Sequence, residues 1–339
     1  MRLMYIESSL KKRCQRILDE NGGHIADQSS RILLEDPLLK DLQSPLEFIS
    51  KNWRDPLTPA LMKLSCEAVG GQPEATHEVA LSLSLMNLSF FVWDDIVDNT
   101  VYKSFKPTLF GKFGEGPALI IGGLASAKAF SILNELDIDI KKRQAVTKLI
   151  WSLWAKMGTA EKVNLSSRRQ TASSNKLWVI KTEATDLETC LKLGATLGDG
   201  SDEEVNQLGK YGLNFGVILE LWKDYMVSIN LTFELAEKIR DNRLPYSLLW
   251  AREQSENLQK KLEKLATTES IQPSDIKEVV EHVLATEPLK NIMKHIRTST
   301  KKAKGCLSGL EVNDSTKTLN FFVEAQAQLF IESLSVLQV

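Results

Sequence analysis

The 339-residue sequence predicts an all-α protein made of a single domain over residues 1–339. Three observations carry that expectation. Apolar residues recur at three- and four-residue spacing through most of the chain, the period of one helix face. No alternation of apolar and polar residues runs longer than a few positions, so no strand is expected. The breakers between periodic segments are short, and no repeat or low-complexity linker divides the chain.

The periodicity predicts helices over 8–20, 60–69, 76–97, 117–134, 141–164, 175–197, 203–228, 231–239, 244–265, 273–285, 288–305 and 315–337. Gly22-Gly23 closes the first segment, and Pro56 to Pro59 lead into the second. Gly70-Gly71-Gln72-Pro73 separates the second from the third. Gly198 to Ser201 ends 175–197, and Ser201-Asp202-Glu203-Glu204 has the acid-rich form of a helix start. Gln272-Pro273 opens 273–285. The most hydrophobic segments, 76–97, 117–134 and 203–228, are expected at the centre of the bundle. The longest apolar stretch, Pro117 to Leu133, is interrupted by Gly122, Gly123 and Lys128, and reads as a buried helix and not as a membrane span.

Composition narrows the function. The net charge of −2 gives no basis for nucleic-acid binding. Cys14, Cys66, Cys190 and Cys306 are scattered without CxxC spacing, which suits reduced thiols and a cytoplasmic location. Residues Met1 to Glu7 lack the apolar core of a signal peptide.

The most informative motif is Asp94-Asp95-Ile96-Val97-Asp98, at the end of the nearly uncharged run Val79 to Trp93. On a helix, Asp94 and Asp98 share one face a turn apart, with Asp95 beside them. Such a cluster is hard, anionic and made of oxygen only. It suits Mg²⁺, which takes one or two carboxylates and completes its shell with water and substrate phosphates. Acid at the end of a buried helix also needs a partner, because an unpaired buried charge is costly.

Several further runs then carry a family resemblance. Gln72-Pro73-Glu74 through Asp98-Asn99, Lys106-Pro107-Thr108-Leu109-Phe110-Gly111-Lys112-Phe113-Gly114-Glu115, Lys181-Thr182, Tyr211 to Gly216, and Arg240-Asp241-Asn242-Arg243-Leu244-Pro245 match in order and spacing over about residues 45 to 255. The chain resembles the trans-isoprenyl diphosphate synthases. The resemblance implies the isoprenoid-synthase fold, a helical bundle around a deep apolar cavity with metal-binding helix faces at its mouth. It also implies a prenyl diphosphate substrate, Mg²⁺ (three ions) as cofactor, and a homodimer as a possible assembly.

The departures from the family pattern matter as much. Chain-elongating members carry Lys-Arg-x-x-Arg-Pro, whose cations hold the diphosphate of isopentenyl diphosphate. Alignment on Cys66 to Gly71 puts Arg54-Asp55-Pro56-Leu57-Thr58-Pro59 there, where Asp55, Pro56 and Thr58 supply no cation. The family's Arg-Arg-Gly is Lys103-Ser104-Phe105. A diphosphate is best held by several charge-assisted bonds, and Asp55 would repel it.

The allylic site is expected to survive. Asp94, Asp95 and Asp98 are its catalytic acids, and Lys181, Lys223 and Arg243 its diphosphate cations. The second acidic motif reads Lys223-Asp224-Tyr225-Met226-Val227. The resemblance therefore implies metal ligation by Asp94 and Asp98 together with Glu220, Asp224 and Ser228, at i, i+4, i+8 spacing; Asp224, Ser228 and Thr232 form a poorer triad. The competing reading makes Glu220 and Lys223 an ordinary surface pair. Ser89, Phe90, Phe91, Trp93, Trp151, Trp154, Trp178, Phe215, Trp222 and Tyr225 are candidates for the cavity wall, where aromatic faces would stabilise a carbocation. A chain that keeps the allylic site and loses the isopentenyl site most resembles class I terpene synthases, lyases that ionise and cyclise a C15 or C20 prenyl diphosphate. The alternatives are a prenyltransferase with another acceptor (indole, aromatic or peptide), a chain-elongating synthase, and a non-catalytic subunit.

Overall fold

The computed structural model describes residues 9–103, 106–166, 172–229, 233–284 and 286–337. Ser104, Phe105 and Thr232 lie outside the described residues. The first helices in chain order are α1 (Ser9–Arg31), α2 (Gln43–Asn52), α3 (Leu57–Ala68), α4 (His77–Val97), α5 (Leu109–Phe113) and α6 (Glu115–Asn134). Next come α7 (Ile140–Ser166), α8 (Ser173–Glu183), α9 (Thr185–Leu197), α10 (Asp202–Ile229) and α11 (Phe233–Arg240). The last are α12 (Tyr246–Gln254), α13 (Glu256–Ala266), α14 (Pro273–Val283), α15 (Thr286–Leu307) and α16 (Asp314–Leu337). The only strands among the described residues are β1 (Tyr102–Lys103) and β2 (Lys106–Pro107), paired antiparallel. The expected all-α class is the observed one.

The helices α2 and α5 fall outside the expected segments, and three of those segments differ for a local reason. The glycine pair does not end the first helix: α1 continues through Gly22-Gly23 to Arg31. A Cβ at Gly22 would lie 2.2 Å from the Pro56 carbonyl, so the glycine is what lets α1 cross the start of α3 closely. Segment 175–197 is two helices, α8 and α9, meeting at Ala184. Segment 244–265 is also two, because Ser255 takes an extended conformation and its hydroxyl accepts from the Leu258 N–H to start α13.

The chain divides into two compact units, one of Met1–Leu149, Cys190–Gly209 and Gly309–Phe322, the other of Ile150–Thr189, Lys210–Ser308 and Val323–Val339. In the first unit α4 is buried along most of its length and packs against α6. Small residues make the approach possible. The Ser82 hydroxyl donates to the Ala129 carbonyl (2.9 Å), Ser89 to the Gly122 carbonyl (2.9 Å), and Ser126 to Ser89 (2.9 Å). The Trp93 indole lies on Gly122, where a Cβ would come within 2.4 Å of Nε1. Leu88 and Val92 of α4 join Ile121 and Ala125 of α6, Leu46 and Ile49 of α2, and Trp53 in one apolar cluster.

The segment Pro73–Val97 and α6 are both long and apolar enough to cross a membrane. Most of the first is buried in the fold, whereas Leu119, Ile120 and Phe130 of α6 are exposed.

Gly122→Ala should therefore cost stability, by about 1–3 kcal/mol, because the indole has to shift to admit the methyl. Denaturant unfolding would measure this, and an unchanged midpoint would show that Trp93 is not held as described.

Candidate functional site

The acidic run sits where α4 ends. Asp94 and Asp95 occupy the last turn and Asp98 caps it, its N–H donating to the Asp94 carbonyl (2.8 Å). The site is electrostatically awkward, since the helix C-terminus already carries partial negative charge. Asp95 is fully buried and Asp94 is exposed. Burial pushes the Asp95 carboxyl up to about 6, against the pull of Lys103, with repulsion from Asp94 and Asp98 adding to the rise.

A lysine answers that charge. The Lys103 ammonium lies 2.6 Å from Asp95 Oδ1, in ion-pair contact, and donates to Asp94 Oδ2 at 3.2 Å. It also stands 5.0 Å above the centre of the Phe91 ring. Burial works against the Lys103 charge, but Asp94 and Asp95 outweigh it and hold its pKa above the ordinary value.

The backbone brings Lys103 there by a short return. Asn99 adopts φ 51°, a left-handed conformation asparagine tolerates, and turns the chain out of α4. The β1–β2 pairing sets Lys103 opposite Lys106. Thr108 then ties the turn down: its N–H donates to the Val101 carbonyl (2.9 Å) and its hydroxyl to the Thr100 carbonyl (2.7 Å). The same hydroxyl accepts from the Gly111 N–H (2.8 Å) and so caps α5.

The Mg²⁺ expected at this cluster would have to displace a resident cation. Among the described residues no three His, Cys, Asp or Glu side chains form a group that could hold a metal ion. Asp94 and Asp98 supply suitable hard oxygens, but an ammonium bridges Asp94 and Asp95.

The segment aligned with the isopentenyl site has been put to structural use. Arg54 Nη1 and Nε pair with Asp19 and Asp27 of α1, each at 2.6 Å. Asp55 starts α3, accepting from the Leu57 N–H (3.0 Å) and the Thr58 hydroxyl (2.6 Å). Thr58 Oγ1 in turn accepts from Asn87 of α4 (3.0 Å).

In the second unit the residues expected to form a metal triad have protein partners. Asp224 is largely buried and accepts from the Tyr246 N–H at 2.6 Å, so it caps the start of α12, with Lys176 at 4.0 Å. Ser228 is fully buried, donating to the Asp224 carbonyl (3.0 Å) and bonded to the Ser247 hydroxyl. Glu220 pairs with Lys223 at 2.9 Å, and Lys223 is 66% exposed. Helix capping and local charge pairing have taken these groups, as the competing reading held for Glu220 and Lys223. Lys223 nevertheless stands in an acidic setting: Glu220 first, against burial, and then Glu183 and Asp186 raise its pKa. Lys181 is exposed on α8, and Arg243 pairs with Asp241 at 2.5 Å.

The wall candidates are mixed. Ser89 and Trp93 are taken up by the contact with α6, because the apolar α4 buries that face, and Trp151 is 71% exposed. Phe91 and Trp178 are exposed, Phe90, Trp154 and Trp222 half-buried, and Phe215 and Tyr225 buried against Tyr211 and Phe330 respectively. Lys103 itself was legible only as the cation that stands where the family has Arg-Arg-Gly, and Lys176 and Glu253 carried no sequence signal. The Glu253 carboxylate caps α8, accepting from the Ser173 N–H and hydroxyl at 2.6 Å each.

Two outcomes are expected. Asp95 holds a proton in the folded state that the unfolded chain releases near 3.8, so its contribution to stability falls as pH rises from about 4 to 6. Asp95→Asn should remove that loss and raise stability above pH 6 by up to about 3 kcal/mol. Thermal unfolding at pH 4, 6 and 8 would check this, and equal pH slopes for the two proteins would refute it. Asp224→Ala should cost about 1–2 kcal/mol as a lost cap, whereas Glu220→Ala should change stability by under about 1 kcal/mol; equal effects in denaturant unfolding would overturn the assignment.

Residues 41–283 match the Polyprenyl synthetase family. The chain is 29% identical over 220 residues to the heterodimeric geranylgeranyl pyrophosphate synthase large subunit 2 of Arabidopsis thaliana, covering 61% of this chain and 58% of that protein. It is 28% identical over 188 residues to the geranylgeranyl diphosphate synthase of Saccharolobus solfataricus, covering 54% and 57%. The chain thus spans somewhat under three fifths of the length of these curated relatives. Its fold matches the geranylgeranyl pyrophosphate synthetase of Pyrococcus horikoshii with a TM-score of 0.80 at 19% identity, covering 95% of this chain and 99% of that one. These relatives correct the expected cyclising lyase: they are named as prenyl diphosphate synthases, which are transferases. By sequence and by its isoprenoid-synthase fold, the chain belongs to the Polyprenyl synthetase family.

Proposed function

We propose that this protein is a chain-elongating prenyltransferase, which joins an allylic prenyl diphosphate to isopentenyl diphosphate. The observation that carries the reading is the acidic run at the end of α4, inside a family match that spans residues 41–283. In the transfer the allylic C–O bond breaks, a C–C bond forms to the acceptor alkene, and diphosphate and a proton leave. The names of the curated relatives support isopentenyl diphosphate as the acceptor. Lys181, Lys223 and Arg243 are the cations we assign to the allylic diphosphate, where charge-assisted bonds hold a leaving group best. Enzymes of this kind generally depend on Mg²⁺. Lys103 lies against the acids that would take the ion.

A second reading is prenyl transfer to an acceptor other than isopentenyl diphosphate. It is favoured by the Arg54–Thr58 segment, where the one remaining cation is paired to α1 and Asp55 caps α3. That Cys14, Cys66, Cys190 and Cys306 form no disulfide supports a reducing, cytoplasmic setting for either reading.

Incubation with Mg²⁺, geranyl or farnesyl diphosphate and isopentenyl diphosphate, read by mass spectrometry, is the test. A prenyl diphosphate five carbons longer is the expected product. Consumption of the allylic substrate only with an indole, phenol or peptide acceptor would select the second reading. No consumption with any acceptor would sink both.

A further inference from the structure

Both acidic clusters contain a lysine. Lys223 sits with Glu220, and Lys103 sits against Asp94 and Asp95. The second contact is the better built. Its ammonium bridges two carboxylates from successive residues, one of them fully buried, and lies over the Phe91 ring. We propose that Lys103 is a built-in competitor for divalent cations at the first acidic cluster, so that an ion is admitted there only when the ammonium is displaced. The proposal deepens the reading above, whose substrate site it would regulate, but it stands on the geometry of the cluster alone.

The space is the same for both cations. A Mg²⁺ ion bound to Asp94 Oδ2 or Asp95 Oδ1 would sit about 2.1 Å from that oxygen. The ammonium already lies 3.2 Å from the first and 2.6 Å from the second. Two cations cannot share that position, because each would be within van der Waals contact of the other and repelled by it. Without the lysine, Asp95 would be a buried carboxylate with both oxygens lacking hydrogen bonds, which is a strong demand for another cation.

The way out is also fixed by the fold. The Lys103 backbone is tied by the β1–β2 pairing and by the bonds of Thr108 to Thr100 and Val101. Gly111 closes on the same turn, where a Cβ would lie 2.1 Å from the Val101 carbonyl. Displacement therefore requires no backbone movement. The flexible four-carbon stem swings and the hairpin stays. In the resting protein the cluster is neutralised from within, and the concentration of divalent ion needed to enter it is set by the strength of the lysine contact.

The test reads metal binding without substrate, so an inactive protein does not affect it. Mn²⁺ is titrated into the full chain and followed by electron paramagnetic resonance. Wild type is compared with Lys103→Met, Lys103→Arg and the double variant Lys103→Met/Asp94→Asn. Lys103→Met should bind one ion at least tenfold more tightly than wild type. Lys103→Arg, which keeps the charge, should remain as weak as wild type, and the double variant should lose the gain. Equal affinity in wild type and Lys103→Met would overturn the proposal, as would a gain that persists in the double variant. Should Lys103→Met fail to fold with Asp95 left unpaired, the same comparison is made on an Asp95→Asn background, which keeps Asp94 and Asp98. A gain under tenfold there overturns the proposal equally.

Discussion

A helix as apolar as α4 has to be covered, and the way it is covered places everything else at the site. Serines and a glycine draw α6 against it, so that the hydroxyls of Ser82 and Ser89 reach carbonyls across the contact and Trp93 lies flat on Gly122. Burial continues to the last turn, and Asp95 is carried inside with it. A carboxylate in that position loses its hydration and gains repulsion from Asp94, Asp98 and the helix end itself. The hairpin that follows supplies the compensating charge. The packing of two helices thus creates an electrostatic debt that a residue outside both of them settles.

The same economy of charge runs through the second unit. Asp224 and Glu253 are each aimed at the start of a helix, at Tyr246 and Ser173, where free N–H groups attract carboxylates. One oxygen of Asp224 is thereby engaged as a helix cap. The segment aligned with the isopentenyl site follows that logic too. Asp55 replaces a cation and becomes the cap of α3, while Arg54 turns to Asp19 and Asp27. Positions that hold diphosphate cations elsewhere in the family hold the first unit together here.

These substitutions explain why the motifs by themselves do not fix the reaction. The missing Lys-Arg-x-x-Arg run shows that a set of contacts is gone, and it says nothing of what reaction remains. The loss alone points towards cyclisation, whereas the relatives that the chain matches are named as prenyl diphosphate synthases, which are transferases. A deleted cation removes an interaction, whereas the reaction depends on what else enters the site.

Much of the fold was legible because helical periodicity is local. The long segments appear as α4, α6, α7, α10, α15 and α16 with ends shifted by a few residues, and the acidic run lies at a helix end as its apolar approach required. The sequence by itself determined the helical class and the family. Tertiary structure decided what individual residues touch. Gly22-Gly23 reads as a stop, yet it lies within α1 because α3 passes against Gly22. Asp224 and Ser228 keep helical spacing, yet Tyr246 and Ser247 claim them. Lys103 follows the acids in the chain, but only the hairpin brings its ammonium onto them. Spacing along a helix fixes which residues share a face, and the partner a charged group takes depends on distances of 3 to 4 Å that segments remote in sequence set.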